Sequence, residues 1–416
     1  MDGYLPRANT VLARIHELAC TTEDTHCVTR TFGSPAFISG CSKVLSWMQE
    51  AGLHARIDNM GNVRGRWSSQ VPDARTLVIA SHIDTVRNAG KFDGPLGVIT
   101  GIDIIAHLQQ QNIELPFNIE LIAFSDEEGV RYHTPYLGST TVTGSFDHTL
   151  LDKTDDAGIT LREAIRTIGG DPALLAADAI PPEEWLGYYE VHIEQGPLLY
   201  EQQLPVAVVQ GIAGQQRIRV RFKGMSGHAG TVPMAMRRDA LCAAADLVLA
   251  AERYALDHKD ALLATVGTLQ IADAASNVIP GEVTCSLDLR SSDKALLKKA
   301  RRSLKEIVSR ICDERRLTAE WDLIQKTKPV ACDTALSHLL AQSITAAGYN
   351  VTSLVSGAGH DAVTVAAVAP VCMLFVRCYK GISHHPMENV EAADIAAAIQ
   401  VSDHFIQRLT EVYKKR

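Results

Sequence analysis

Four short clusters of histidine and carboxylate residues stand out in the sequence, each beside an apolar stretch or a glycine-rich turn. They are Ser81-His82-Ile83-Asp84-Thr85, Gly90-Lys91-Phe92-Asp93-Gly94-Pro95-Leu96-Gly97, Ser125-Asp126-Glu127-Glu128-Gly129 and Glu190-Val191-His192-Ile193-Glu194. A fifth, Gly381-Ile382-Ser383-His384-His385-Pro386-Met387-Glu388, lies near the C-terminus. Adjacent carboxylates such as Glu127 and Glu128 repel each other unless positive charge lies beside them. A pair of divalent cations supplies that charge, with Glu128 as ligand and Glu127 left as a free base. The set contains imidazole and carboxylate but no thiolate, which suits Zn²⁺ or Mn²⁺ and disfavours a structural cysteine-type site.

The elements that would position these groups follow from the surrounding pattern. Apolar runs at 76–80, 118–124, 188–193 and 372–378 read as buried strands, and the first three lead directly into clusters. Ligands of open α/β sheets gather at the carboxyl ends of strands. Strand side chains repeat every two residues, so His82 and Asp84 face the same way, and Asp84 can hold one imidazole nitrogen while the other meets a metal. The same period puts Glu190, His192 and Glu194 on one face, with His192 the best ligand. Asp93 sits in a turn before a helix, where a carboxylate can bridge two cations. Either His384 or His385 should close the site from a loop constrained by Gly381 and Pro386. Singly, each residue has an ordinary reading as a satisfied polar group or solvated turn; joint placement at successive strand ends carries the metal reading.

The flanking pattern is α/β: helices over 40–50 and 97–110 alternate with the strands. Near Gly211 the pattern changes, because 216–222 alternates charged and apolar residues like a half-exposed strand. From there the order is strand, helix (238–258), strands (264–271 and 283–289), helix (293–314), strand (320–324), a ferredoxin-like α+β arrangement. After Pro329 the α/β character returns, with helices at 334–347 and from Ala392. The expectation is a discontinuous domain of residues 1–211 and 328–416, with a mixed central sheet flanked by helices, interrupted by an inserted unit at 212–327.

Length and composition bound the alternatives. At 416 residues the chain exceeds the size of one typical core. The net charge of −8 and the scattered Lys and Arg argue against a nucleic-acid partner, and Lys298-Lys299-Ala300-Arg301-Arg302 reads as a solvated helix face. The first twenty residues read as an amphipathic helix with Leu12, Ile15 and Leu18 on one side, not a secretory signal, and no apolar run has membrane-spanning length. Nine dispersed cysteines without a close pair fit reduced thiols in the cytoplasm.

At these motifs the chain resembles the dinuclear metallohydrolases related to aminoacylase and carboxypeptidase G, specifically their ureidohydrolase branch. The likeness rests on the clusters above, on Gly196-Pro197 after Gln195, on Gly227-His228-Ala229-Gly230-Thr231-Val232-Pro233-Met234, and on Ser356-Gly357-Ala358-Gly359-His360-Asp361-Ala362. It implies two metal ions held by His82, Asp93, Glu128, His192 and His384, with Asp93 bridging and Glu127 as the proton-transfer base. His384 is preferred to His385 because the family's ligand stands four residues before a Glu, here Glu388. Related peptidases usually carry an acidic residue where this chain has His192, and the ureidohydrolase branch uses His there. The resemblance also implies substrate contacts by Arg290 to a carboxylate and by Gln195, Asn277 and His360 to polar groups. It further implies that the inserted unit is a lid and dimerisation domain whose His228 reaches the neighbouring subunit's site in a homodimer. The implied activity is hydrolysis of a ureido C–N bond, with allantoate as first substrate and, as second, an N-carbamoyl-L-amino acid or the substrate of a beta-ureidopropionase-like enzyme. A third reading, a non-catalytic metal or ligand binder, is opposed by the intact Glu127 beside Glu128. Without the resemblance, Arg290 would read as a surface ion pair, Asn277 as a turn former, and Gln195 and His228 as loop residues.

Overall fold

A computed structural model describes residues 3–414 of the chain. Its contacts divide into two compact units, one of the residues through Gln210 with Cys332–Leu354 and those from Gly359 onward, the other of Gly211–Ala331 with Val355–Ala358. Each has its own apolar core.

The larger unit contains strands β1 (His54–Ile57), β2 (Val63–Trp67), β3 (Thr76–His82), β4 (Asn118–Phe124), β5 (Trp185–Ile193) and β6 (Val206–Ile212). Later in the chain it gains β16 (Val371–Val376), numbered after the strands given below. Their order across the sheet is β1-β2-β4-β3-β5-β16-β6. The central four, β4, β3, β5 and β16, are mutually parallel, while β2 and β6 run antiparallel to their neighbours. Parallel strands covered on both faces must be apolar throughout, and every residue of β3, β4, β5 and β16 is buried. The sheet is therefore mixed, and helices such as Pro95–Gln110 and Ala392–Lys414 pack against it.

Several helices begin earlier than their apolar periodicity suggests. One starts at Pro35 rather than Gly40, with Ser34 accepting from the Phe37 N–H as a cap; another starts at Pro95 rather than Gly97. Proline fits the first helical turn because its missing N–H has no partner there anyway. The N-terminal helix runs Tyr4–Ala19, burying Ala8, Val11, Ile15 and Leu18, while positions 1 and 2 of that expected helix lie outside the described residues. Positions 415 and 416 do so too. Among the described residues no helix is long and apolar enough to cross a membrane.

The smaller unit holds β7 (Gly214–Lys223), β8 (Gly227–His228), β9 (Leu263–Thr265), β10 (Leu269–Ile271), β11 (Val278–Ile279), β12 (Glu282–Ser291), β13 (Thr318–Lys326) and β14 (Val330–Ala331). A last short strand, β15 (Ser353–Ser356), pairs with β6. The sheet order β10-β12-β7-β13, all antiparallel, with helices Ala240–Asp257 and Lys294–Arg315 on one face, is the ferredoxin-like arrangement. Burial alternates residue by residue along β12, as a sheet with one covered face requires. The single strand expected over 264–271 is instead two, β9 and β10. Gly267 lies between them, and Thr268 bonds to Ser286 through its N–H, its carbonyl and its hydroxyl.

Candidate metal centre

The four parallel strands end on the same edge of the sheet. His82 closes β3, the turn Asp126-Glu127-Glu128 follows β4, His192 lies near the end of β5, and β16 leads on to His384. Asp93 enters from the turn between β3 and the helix Pro95–Gln110. Its two oxygens face different partners. Oδ1 lies 3.5 Å from His82 Nε2 and 3.1 Å from His192 Nε2, while Oδ2 lies 3.2 Å from His384 Nε2. His384 Nε2 is also 3.4 Å from Glu128 Oε1. Two ligand clusters therefore share Asp93: His82, Asp93 and His192, and Asp93, Glu128 and His384. Glu127 is grouped with His82 and Glu128, and is buried.

These separations fit metal ions. Charge-assisted N–H···O bonds shorten to about 2.7–2.9 Å, whereas two donors on one tetrahedral ion, each about 2.0–2.2 Å from it, stand roughly 3.3–3.6 Å apart. Most of the contacts fall near the second range. His192 Nε2 is wholly buried, and the group nearest it is Asp93 Oδ1 at 3.1 Å, without well-aligned hydrogen-bond geometry. A buried imidazole nitrogen so poorly satisfied is costly, and a cation shared with the carboxylate would remove the cost.

The electrostatics agree. Burial alone would raise the Asp93 pKa, but the close imidazoles of His192, His384 and His82 hold it well below the usual carboxylate range. Asp93 and then Glu128 push His384 up to about 10. Burial opposes a charged His82, yet Asp84 and Asp93 raise its pKa well above that of free imidazole. The carboxylates thus attract positive charge strongly enough to draw protons onto histidines. Glu127 is different: burial, and to a lesser degree Glu128, drive its pKa well up although His82 opposes the rise. A carboxyl so placed holds a proton more readily than an exposed one.

The surrounding backbone is braced for this geometry. Asp84 acts mainly on the neighbouring turn, where its carboxylate accepts from the N–H groups of Glu127 at 3.0 Å and Glu128 at 3.1 Å. Nδ1 of His82 meets the Asp84 main-chain carbonyl at 3.1 Å and its carboxylate only at 3.5 Å. The His82 ring is therefore oriented chiefly by Asp84's backbone. His192 Nδ1 lies 2.9 Å from the Ile193 carbonyl, which leaves Nε2 aimed at the site. Gly94 has φ of +82°, and a Cβ there would come within 2.6 Å of the His82 ring. Asp126, Gln195 and His384 also have positive φ. Such backbone costs energy for residues other than glycine and gathers at functional sites.

Three supporting residues were not picked out from the sequence as site residues. Glu388, used there only as a spacing marker, is buried and accepts from the N–H groups of Phe92 at 2.6 Å and Asp93 at 3.1 Å. Ser383 donates to Asp93 Oδ2 at 2.7 Å. Asn62 accepts from the Ser125 N–H and donates to the Gly138 carbonyl, fixing the start of the Asp126–Glu128 turn. A carboxylate four residues after a histidine was a usable signal for Glu388. Nothing in the local sequence marks Asn62.

Other expected contacts lie in different settings. Gln195 Nε2 donates to Asp93 Oδ2 at 2.7 Å, and its Oε1 is buried without a hydrogen bond. The buried His360 ring sits 4.5 Å from that of His192, and burial followed by repulsion from His192 holds its pKa well below the usual value. His228, Asn277 and Arg290 belong to the smaller unit. His228 is exposed on β8 beside β11, with the Gly230 N–H bonded to its Nδ1. Asn277 is exposed and accepts the Ala229 N–H through its carbonyl. Arg290 lies within β12, paired with Asp288 at 3.0 Å and donating to the Gly357 carbonyl at 2.7 Å. His385 is exposed, with Nδ1 accepting from the Met387 N–H.

The family model described as Peptidase family M20/M25/M40 matches residues 78–408, which span every one of these positions except Asn62. The chain belongs to that family. It is a metal-dependent hydrolase of C–N bonds. It is 40% identical to an allantoate deiminase of Arabidopsis thaliana, covering 93% of this chain and 79% of that protein. It is 37% identical to an N-carbamoyl-L-amino-acid amidohydrolase of a Pseudomonas species, over 86% of this chain and 87% of the relative. Among solved structures, a hydantoinase/carbamoylase family amidase from Burkholderia multivorans superposes with a TM-score of 0.90 at 33% identity, covering 96% of this chain and 97% of that one. The candidate clusters lie within the matched stretch of that family.

Proposed function

We propose that this M20 hydrolase cleaves a ureido C–N bond, with allantoate as its substrate and ammonia, carbon dioxide and ureidoglycine as products. The observation that carries the proposal is the shared Asp93 carboxylate, one oxygen facing His82 and His192 and the other facing His384, with Glu127 beside it. Likeness to an allantoate deiminase over nearly the whole chain supports the choice of substrate.

In this proposal each subunit holds two divalent ions, Mn²⁺ or Zn²⁺, through His82, Asp93, Glu128, His192 and His384. Bound there, such ions supply Lewis acidity and lower the pKa of a nearby water towards about 7. Glu127 accepts a proton from the attacking water and returns it to the departing nitrogen. Asp84 keeps Glu127 and Glu128 in register through their N–H groups, and Gln195 and His360 supply polar contacts to the ureido group. Arg290 pairs with the substrate carboxylate after leaving Asp288, and Asn277 adds a hydrogen bond. The smaller unit serves as lid and dimerisation domain, so that His228 reaches the other subunit's site in a homodimer. A cytoplasmic location completes the proposal, supported by nine cysteines all of which are free thiols.

The deciding experiment measures ammonia release from allantoate beside release from N-carbamoyl derivatives of several L-amino acids, with Mn²⁺ and Zn²⁺ supplied separately. Turnover of allantoate well above the carbamoyl compounds is expected. Turnover confined to the carbamoyl compounds would transfer the assignment to the second substrate class, as the Pseudomonas relative's name suggests for that protein.

A further inference from the structure

The helix Lys294–Arg315 of the smaller unit carries a basic stripe that nothing in the proposed reaction uses. Lys298, Lys299, Arg301, Arg302 and Lys305 line a cleft of about 710 Å³ against Trp321 and Leu323 of β13. A second cleft, of about 300 Å³, shares Lys298 and Arg301 and adds Lys294, Lys326 and Lys328. No carboxylate lines either one. Among the described residues, only Arg302 of these eight cations has an ion-pair partner, the exposed Glu306 at 3.7 Å. Elsewhere in the same unit, Arg217 and Arg290 pair with Asp288, Lys223 with Glu320, and Arg315 with Asp246.

A merely solvated helix face would interleave acids three or four residues from its bases. Here Lys294 and Lys298, Lys298 and Arg302, and Arg301 and Lys305 are like-charge neighbours at four-residue spacing, each pair destabilising the helix. The stripe also begins in the first turn, where the helix dipole disfavours cations and the acid at hand is the N-cap Asp293, whose carboxylate is taken up by the Ala295 and Leu296 N–H groups. The arrangement weakens the helix that carries it, and a bound anion would relieve that repulsion. β13 is an edge strand of its sheet, so Trp321 and Leu323 form an apolar wall beside the charges. Lys298 and Lys305 are about 10 Å apart along the helix axis, a distance that a linear chain of phosphates can follow.

We propose that this paired cleft binds a polyphosphate anion, with phosphates along Lys298, Arg301 and Lys305 and any attached ring against Trp321. The cleft shares no residue with the metal clusters, and the proposal stands or falls independently of the substrate assignment.

The test uses the full, metal-loaded protein at near-physiological ionic strength. Inorganic tripolyphosphate, ATP and inorganic phosphate are titrated by calorimetry and by Trp emission, with Trp321→Phe identifying the signal from the cleft. Saturable binding of tripolyphosphate and ATP is expected, weakened at least about tenfold in the Lys298→Glu/Arg301→Glu variant through loss of charge-assisted bonds. That variant should melt no lower than the parent, since it relieves like-charge pairs and places acid nearer the helix N-terminus. If Trp321→Ala weakens ATP but not tripolyphosphate, the ligand is a nucleotide; equal responses identify the phosphate chain alone, and both results support the site. Absence of saturable binding, or equal affinity in parent and double variant, would overturn it.

Discussion

The two units place polar chemistry in opposite surroundings. In the larger unit the charged groups sit at the ends of fully buried parallel strands, and nearly every one is held by a second residue: Asp93 by Gln195 and Ser383, its backbone by Glu388, and Glu127 and Glu128 by Asp84. In the smaller unit His228 and Asn277 are exposed, and Arg290 is engaged with Asp288. The contrast follows from sheet type. Strands covered on both faces expose functional groups only at their ends, where they can be braced from several directions. A sheet covered on one face presents polar residues all along each strand, where water and neighbouring ions compete for them. The first arrangement suits ions that need a preformed cradle; the second suits groups that engage a substrate only when it arrives.

The largest effect should come from the group with the least redundancy. Glu127→Gln is expected to lower kcat by about 10²–10⁴-fold while leaving metal content unchanged, measured by steady-state assay and elemental analysis together. Unaltered turnover would remove Glu127 from its role as base. The independence of the two cores is tested by Leu287→Ala, a fully buried side chain of the smaller unit. It should cost about 2–5 kcal/mol in chemical unfolding of that unit. Metal affinity of the larger unit should stay as it was; a matching fall would show that the cradle depends on the smaller core.

Glu388→Gln probes the bracing itself. Losing the carboxylate behind the Phe92 and Asp93 N–H groups should weaken metal binding by about 10–100-fold, read by competition with a chelating indicator. A variant with parental affinity would mean that the Asp93 turn needs no such support. The smallest change is expected at Arg290→Lys, which keeps the charge but loses the planar pair of donors. KM should rise about tenfold with kcat little affected, and metal affinity should be unchanged. A selective fall in kcat instead would place Arg290 closer to the reacting atoms than its present pairing with Asp288 implies.

Much of the larger unit was legible because its chemistry and its local structure share one signal. A run such as 118–124 is apolar because both sheet faces are covered, and the acids that follow it are conspicuous against that background. The inserted unit was legible through a change of period, from continuous apolar runs to the alternation of β7 and β12. Helix starts were misplaced at Pro35 and Pro95 because apolar periodicity does not register the first turn, where proline and a cap take over. The Lys298 to Lys305 stripe could be read only as a charged helix face, since how few partners its cations find depends on what β13 and the neighbouring loops present.

What the sequence alone determined was the inventory: imidazole and carboxylate without thiolate, two adjacent glutamates after a buried strand, and strands long and apolar enough to bring them to one edge. Choosing His384 over His385 took a family spacing as well. Tertiary structure alone decided how the inventory is shared out, with one Asp93 oxygen for each cluster, the Asp84 carboxylate given to the Glu127–Glu128 turn, and Glu388 brought back across 295 residues to hold the Asp93 N–H. Local sequence fixes which way a side chain leaves its strand. It carries no term for which lone pair meets which partner, because that depends on strands and loops far apart in the chain arriving together.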